Sequence, residues 1–234
     1  MSHDLDQSVL NTLSQVSLFE GLTPHQLQII LQAAHHRHIP RHGYFFHQGE
    51  EATHLYVLLQ GKARLTQITP EGQQVIIHLL GPGDPVAIIV VLSHAKYPVT
   101  ARAHTHCDAL SWERDSITRL MEQYGRLSLN GLKMVSERFL EMQDRYRELA
   151  TERVERRIAR ALLRQINKPG NGRAAPHKIT LSRQDLAEMT GTTLYTVSRT
   201  CSSWEQQGLI TAGRGRITIC NYTDFLNIAE DLPR

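Results

Sequence analysis

The sequence predicts an α+β chain in three stretches: a β-rich sandwich or small barrel, a long helix, and a C-terminal helix-turn-helix with a β-hairpin beside it. Three observations predict it. From His38 to Trp112, short alternating apolar runs are divided by glycines. From Ser116 to Thr151 the period becomes helical, with Leu132, Val135, Phe139, Met142, Tyr146 and Leu149 recurring at intervals of three and four. From Ser182 to Gly208, two helical patterns meet at Gly191. The expected boundaries are 1–115, 116–151 and 152–234.

Taken in order, the stretch from Leu5 to Ala34 reads as short helices. Thr23 caps one of them, with Pro24 at its first position and Leu27, Ile30, Leu31 and Ala34 along its apolar stripe. Candidate strands follow at Tyr44–Phe46, Leu55–Leu59, Ala63–Ile68, Val75–Leu80, Val86–Leu92, Val99–Ala103 and Ala109–Trp112. Strands this short and evenly spaced close into a sandwich or barrel, which often encloses a ligand. The 132–149 repeat is an a/d seam flanked by charge, the pattern of a parallel homodimer. Glu152–Gln165 reads as a separate helix, and Pro169–Pro176 as a loop.

The last stretch is the most specific. Ser182 is an N-cap, and Asp185 three residues on completes a capping box. Leu186 and Met189 give the first helix an apolar face, and Gly191 supplies the turn. Thr192 or Thr193 caps the second helix. Small Ala187, Gly191 and then Val197 have the spacing of a DNA-binding helix-turn-helix. Leu209-Ile210 and Ile217–Ile219 form a hairpin around Arg214 and Arg216, a wing whose arginines can reach phosphates. Tyr222–Leu232 is a closing helix.

Composition narrows the function. Residues 1–151 hold 13 Lys+Arg against 15 Asp+Glu, whereas 152–234 hold 13 against 8, so the net charge of +3 conceals a basic C-terminal part. There is no run of membrane-spanning length and the first residues are polar, so no membrane partner and a cytoplasmic location are expected. Cys107, Cys201 and Cys220 are odd in number and far apart, which excludes a disulfide framework or zinc knuckle; each is expected to be buried. No phosphate-binding loop or GxGxxG pattern supports an enzyme.

The order of these parts resembles the CRP/FNR superfamily of bacterial transcription regulators. The resemblance is carried by Leu18-Phe19-Glu20-Gly21-Leu22, Phe46-His47-Gln48-Gly49-Glu50, Leu55–Gly61, Gly81-Pro82-Gly83-Asp84 and Arg183–Ile210. It implies a jelly-roll barrel of the cyclic-nucleotide-binding type (a double-stranded β-helix) as sensor, a dimerisation helix, and a winged helix-turn-helix. It also implies a homodimer on double-stranded DNA with a two-fold symmetric site, and RNA polymerase as a partner. Leu132, Val135, Phe139, Met142, Tyr146 and Leu149 would form the dimer interface.

The departures from the family bear on the signal. In cAMP-binding members a Gly-Glu follows the Gly-Asp turn and a later Arg-Ser pair holds the phosphate. This chain has Ile88 for the glutamate and Tyr97-Pro98 for the Arg-Ser pair. A phosphate there would lack its arginine, so cAMP is not expected. No cysteine precedes Cys107, so an iron–sulfur cluster of the family's kind is not expected. Tyr97–Ala101 and Thr192–Arg199 resemble the NnrR/Dnr branch, which implies an activator responding to nitric oxide or another small non-nucleotide signal, with haem as a possible cofactor. Val86, Ala87, Ile88, Ile89, Tyr97, Pro98, Val99 and Thr100 would line the effector pocket, and His94, His104 and His106 are the candidate iron ligands. A regulator without effector, controlled by its expression, is the alternative; a cyclic-nucleotide-binding module without DNA function is a third.

The expected DNA-reading residues are Thr193, Leu194, Tyr195, Thr196, Ser198 and Arg199 on the second helix. Arg199 suits a bidentate contact with guanine. Relatives carry a glutamate at the Tyr195 position, so the neighbouring base preference should differ. Arg183, Gln184, Arg214 and Arg216 are expected on the DNA backbone.

Overall fold

The computed structural model describes residues 9–88, 93, 95–166 and 177–230. The chain divides into two compact units, Met1–Glu141 and Met142–Arg234.

The first unit opens with a helical segment at 9–14, a 3-10 turn at Ser17–Phe19, and helix α1, Pro24–Gln32. Thr23 caps α1, and Gln26 bonds back to the Thr23 N–H, completing a capping box. Eight strands follow: β1 His35–Ile39, β2 Tyr44–Phe46, β3 His54–Gln60, β4 Ala63–Ile68, β5 Gln74–Leu80, β6 Pro85–Val86, β7 Thr100–Ala103 and β8 Cys107–Glu113. They form two antiparallel sheets, ordered β1-β8-β3-β6 and β2-β7-β4-β5. This is the sandwich expected from the glycine-divided runs, in the jelly-roll form that the resemblance implies.

The period of two divides the central strands between two cores. Tyr56, Leu58, Cys107 and Ala109 point between the sheets, where Phe46, Ala63, Leu65, Leu80, Val86, Tyr97 and Ala101 join them. Leu55, Val57, Leu110 and Trp112 point to the other face, onto Leu13, Leu18, Phe19, Leu27 and Ile30. Each fully buried aliphatic or aromatic side chain contributes about 1.5–3 kcal/mol of transfer free energy. Trp112 lies 5.8 Å from the Phe19 ring and donates its indole N–H to the Ile30 carbonyl at 2.8 Å. Gly61 makes the β3–β4 turn at φ +96°; a Cβ there would lie 2.3 Å from the His106 carbonyl oxygen. Both the backbone sign and the space exclude a side chain.

Three sequence expectations change in this unit. Val86–Leu92 is not one strand: β6 ends at Val86, Ala87 has φ +72°, and Ile88 and Ser93 are helical. His35–Ile39, outside the candidate strands read from sequence, form the edge strand β1. The single helix expected over 116–151 is two, α2 Arg114–Gln123 and α3 Gly125–Thr151, parted at Tyr124.

Helix α3, with 27 residues, is about 40 Å long at 1.5 Å per residue. Its first half packs on the barrel unit. Asn130 donates to the carbonyls of Leu18 and Glu20, and Arg138 donates to the Pro85 carbonyl at 2.8 Å. Among the seam residues, Val135 packs against this core rather than outward.

The second unit contains α4 Val154–Ile166, β9 His177–Ile179, α5 Arg183–Thr190, α6 Leu194–Gln206, β10 Ile210–Gly213, β11 Arg216–Ile219 and α7 Tyr222–Glu230. The strands form one antiparallel sheet, β10-β11-β9. Ile158, Ala161, Leu162, Leu186, Val197, Cys201, Trp204 and Phe225 are fully buried. Trp204 packs edge-on to Phe225 and donates to Glu155 at 2.9 Å. Cys107 and Cys201 are buried as expected, but Cys220, also expected to be buried, lies just beyond β11 and is exposed.

Candidate nucleic-acid interface and sensor segment

Helix α5 is fixed at both ends by local chemistry. The Ser182 hydroxyl accepts from the Asp185 N–H at 3.0 Å, and Asp185 accepts from the Ser182 N–H at 3.2 Å and from its hydroxyl at 2.7 Å. Gly191 ends the helix at φ +60° and donates to the Ala187 carbonyl. Thr193 then caps α6, its hydroxyl accepting from the Thr196 N–H at 3.1 Å. Val197, Cys201 and Trp204 hold the inner face of α6 fully buried. The opposite face is left open: Thr193, Leu194, Tyr195 and Arg199 are exposed, and Thr196 and Ser198 half-buried.

The expected backbone-contact residues take different positions. Arg214 and Arg216 are exposed on the β10–β11 hairpin, and Gln184 is exposed on α5, donating to Glu188. Arg183 pairs with Glu205 at 3.3 Å. Glu205 also accepts the Ala212 N–H at 2.8 Å, so one carboxylate ties α6 to both the start of α5 and the hairpin. Neither the arginine–glutamate pair nor this tie was visible in the sequence, since the partners lie 22 and 7 residues apart without a periodic signal.

The described residues expected to line one effector pocket are divided: Val86, Ala87, Tyr97 and Val99 gather in the core between the sheets, and Ile88 does not. Ile88 is buried in the other core, beside Leu18 and Met121. Pro98 is exposed, Ala87, Val99 and Thr100 are half-buried, and Ile89 lies outside the described residues. Ala87 carries a left-handed backbone, and this turn sends Ile88 away from the barrel interior.

Tyr97 fills the interior instead. Its ring stacks on Phe46 at 3.7 Å between centroids and 11° between planes. Its hydroxyl donates to the His54 carbonyl and accepts the His54 N–H, both at 3.0 Å. Burial raises its pKa, as it does that of Tyr56, which is pushed up to about 12. The sequence marked Tyr97 as a pocket residue but not its tie to His54, which stands 43 residues away.

His104 and His106, two of the three candidate iron ligands, are not near this segment. His104 and His106 lie in the β7–β8 turn beside Gly61 and Lys62, at the far end of β3 from His54. The Nδ1 of His104 is 2.6 Å from the Arg64 guanidinium. His94 lies outside the described residues. Among the described residues, no three His, Cys, Asp or Glu side chains are grouped to hold a metal ion. His104 and His106 therefore do not fit a haem seated at Val86–Ile88 or Tyr97.

Comparison with known proteins matches both units. Residues 36–124 match the cyclic nucleotide-binding domain, and residues 156–226 match the Crp-like helix-turn-helix domain. The chain belongs to the CRP/FNR family of transcription regulators. As a member of it, the protein is a DNA-binding transcription regulator, and α5 and α6 lie within its matched helix-turn-helix domain. It is 26% identical over 202 residues to the cyclic AMP receptor protein of Thermus thermophilus, covering 86% of this chain and 91% of that one. It is 21% identical over 200 residues to a CRP-like cAMP-activated global transcriptional regulator of Mycobacterium tuberculosis, covering 85% and 89%. In fold it is similar to the c-di-GMP responsive regulator CLP of Xanthomonas campestris, with a TM-score of 0.76 at 19% identity over 85% of this chain and all of that one. FixK2 of Bradyrhizobium japonicum is similar at a TM-score of 0.72 and 21% identity, covering 83% and 96%. No described helix is long and apolar enough to cross a membrane.

Proposed function

We propose that two copies of this regulator pair along α3 and read a two-fold symmetric operator through α6, acting with RNA polymerase as an activator. The observation that carries the reading is the asymmetry of α6: one face is fully buried, and the other presents Thr193, Leu194, Tyr195, Ser198 and Arg199 from a capped first turn. Pairing is supported by Leu132, Phe139, Met142, Tyr146 and Leu149, all more than half exposed on a single helix. A closed two-fold arrangement would cover them. The test is selection of bound duplexes from a random pool by the purified chain, followed by footprinting. Paired half-sites about one helical turn apart are expected; an enriched single, non-repeated site would refute the two-fold reading.

The signal is not cAMP in this reading. Tyr97 occupies the interior at the position where relatives place the phosphate-binding pair, and Ile88 stands in the place of the glutamate and packs elsewhere. What remains is a small uncharged signal, with nitric oxide the leading candidate, or control by expression alone. Operator affinity measured with cAMP, with a nitric oxide donor and with neither separates the three. A cAMP-dependent rise in affinity would overturn this part of the reading.

A further inference from the structure

We infer that Leu194 and Tyr195 read thymine, through its 5-methyl group, beside the guanine taken by Arg199. This rests on the DNA-reading role of α6 and deepens it by naming a base.

The apolar residues further along α6, Val197, Cys201 and Trp204, are completely buried, whereas Leu194 is 46% and Tyr195 74% exposed. These two are adjacent and occupy the first turn, whose capping by Thr193 fixes its backbone. At about 100° per residue, Tyr195 shares a face with Arg199 one turn later, and Leu194 shares the neighbouring strip with Ser198. The surface offered to a groove is thus an apolar edge running alongside a guanidinium.

The chemistry of that edge selects its partner. No acidic side chain stands in the first turn of α6. A carboxylate acceptor for the cytosine amino group is therefore missing from this surface. In the major groove, among the four bases, only thymine presents a carbon substituent, the C5 methyl. An aliphatic and an aromatic side chain side by side gain free energy by covering that methyl and gain little from the polar edges of cytosine, adenine or guanine. The exposed tyrosine ring supplies the larger area and Leu194 the flank.

The test changes the DNA, leaving the protein intact. Duplexes selected from a random pool by the purified full chain are resynthesised with deoxyuridine replacing each thymidine in turn, and affinity is read by fluorescence anisotropy at one salt concentration. Deoxyuridine at the thymines next to the Arg199 guanine should weaken binding about fourfold per methyl lost, and at thymines outside the half-sites not at all. Tyr195→Ala and Leu194→Ala should lower overall affinity and shrink the thymine-to-uracil ratio toward one while keeping the guanine preference. Equal affinity of the wild type for the thymine and fully uracil-substituted sites would overturn the inference and leave the DNA-reading role standing. A pool from which nothing is enriched would instead overturn the DNA-reading role, and the inference with it.

Discussion

Replacing Tyr97 tests whether the barrel interior is closed by its own side chain. Tyr97→Phe keeps the ring on Phe46 but removes the one atom that serves both the N–H and the carbonyl of His54. Two backbone groups at the start of β3 then lose their partner in a site where Tyr97 is 3% exposed. The loss should be about 1–3 kcal/mol, between one net hydrogen bond and the desolvation of an orphaned group. Tyr97→Ala removes the stack as well and leaves a cavity, which should cost about 3–5 kcal/mol. The two tryptophans make the assay specific, since Trp112 lies in the first unit and Trp204 in the second. In a Trp204→Phe background, urea unfolding followed by tryptophan fluorescence reports the barrel alone. The reasoning fails if Tyr97→Phe changes the stability by less than about 0.5 kcal/mol, the scale of a neutral surface substitution. A cAMP response acquired by Tyr97→Ala would instead show that Tyr97 alone closes the interior and that the missing arginine is irrelevant.

Other outcomes follow from the same structure. Gly61→Ala should destabilise the barrel by more than about 3 kcal/mol, whereas Gly72→Ala, at φ +81° with open space around it, should cost only about 1–2 kcal/mol; equal effects in urea unfolding would show that the clash with His106 is not real. The half-buried His54 has a pKa held below its ordinary 6.5, chiefly by burial and then by Arg37. The unfolded chain therefore takes up the proton first, so barrel stability should be full above that value and decline as pH falls through and below it; His54→Gln should flatten the decline seen between about pH 8 and pH 5. Phe139→Glu, at an exposed position in the seam, should leave the fold intact and shift sedimentation toward the monomer; an unchanged dimer would remove α3 as the pairing surface. Arg199→Ala should cost about 1–3 kcal/mol at the preferred operator and relax one base pair; uniform weakening on all sequences would make Arg199 a backbone contact.

The helix-turn-helix was legible because its determinants are local. Ser182 and Asp185 are three residues apart, and Gly191 alone supplies the left-handed turn. The barrel strands were legible as short apolar runs closed by glycines, as in β3, where Leu55, Tyr56, Val57 and Leu58 are all buried and Gly61 makes the turn that follows. Strand β1 was missed because an edge strand pairs on one side only, and His35, His36, Arg37 and His38 are exposed and carry no apolar alternation. The parting of α2 and α3 had a local sign in Tyr124-Gly125, outweighed by the apolar period on either side. The effector segment was the least legible. Sequence places Ile88 where relatives carry the glutamate, but only the φ of +72° at Ala87 and the packing beyond it decide which core the side chain enters. Tyr97 likewise takes its role from His54 and Phe46, which are remote in sequence.

Gly131, on the barrel side of α3, is the counterpart of that Ile88. A Cβ on Gly131 would stand 3.0 Å from the Met121 Cε and 3.3 Å from the Ile88 Cδ1. Positions 88, 121 and 131 thus divide one fixed volume among them. Among relatives that share this arrangement, an alanine at 131 should accompany a shorter side chain at 88 or 121, and the three positions should change as a set. The isoleucine at 88 is then inseparable from the absence of a side chain 43 positions further along the chain.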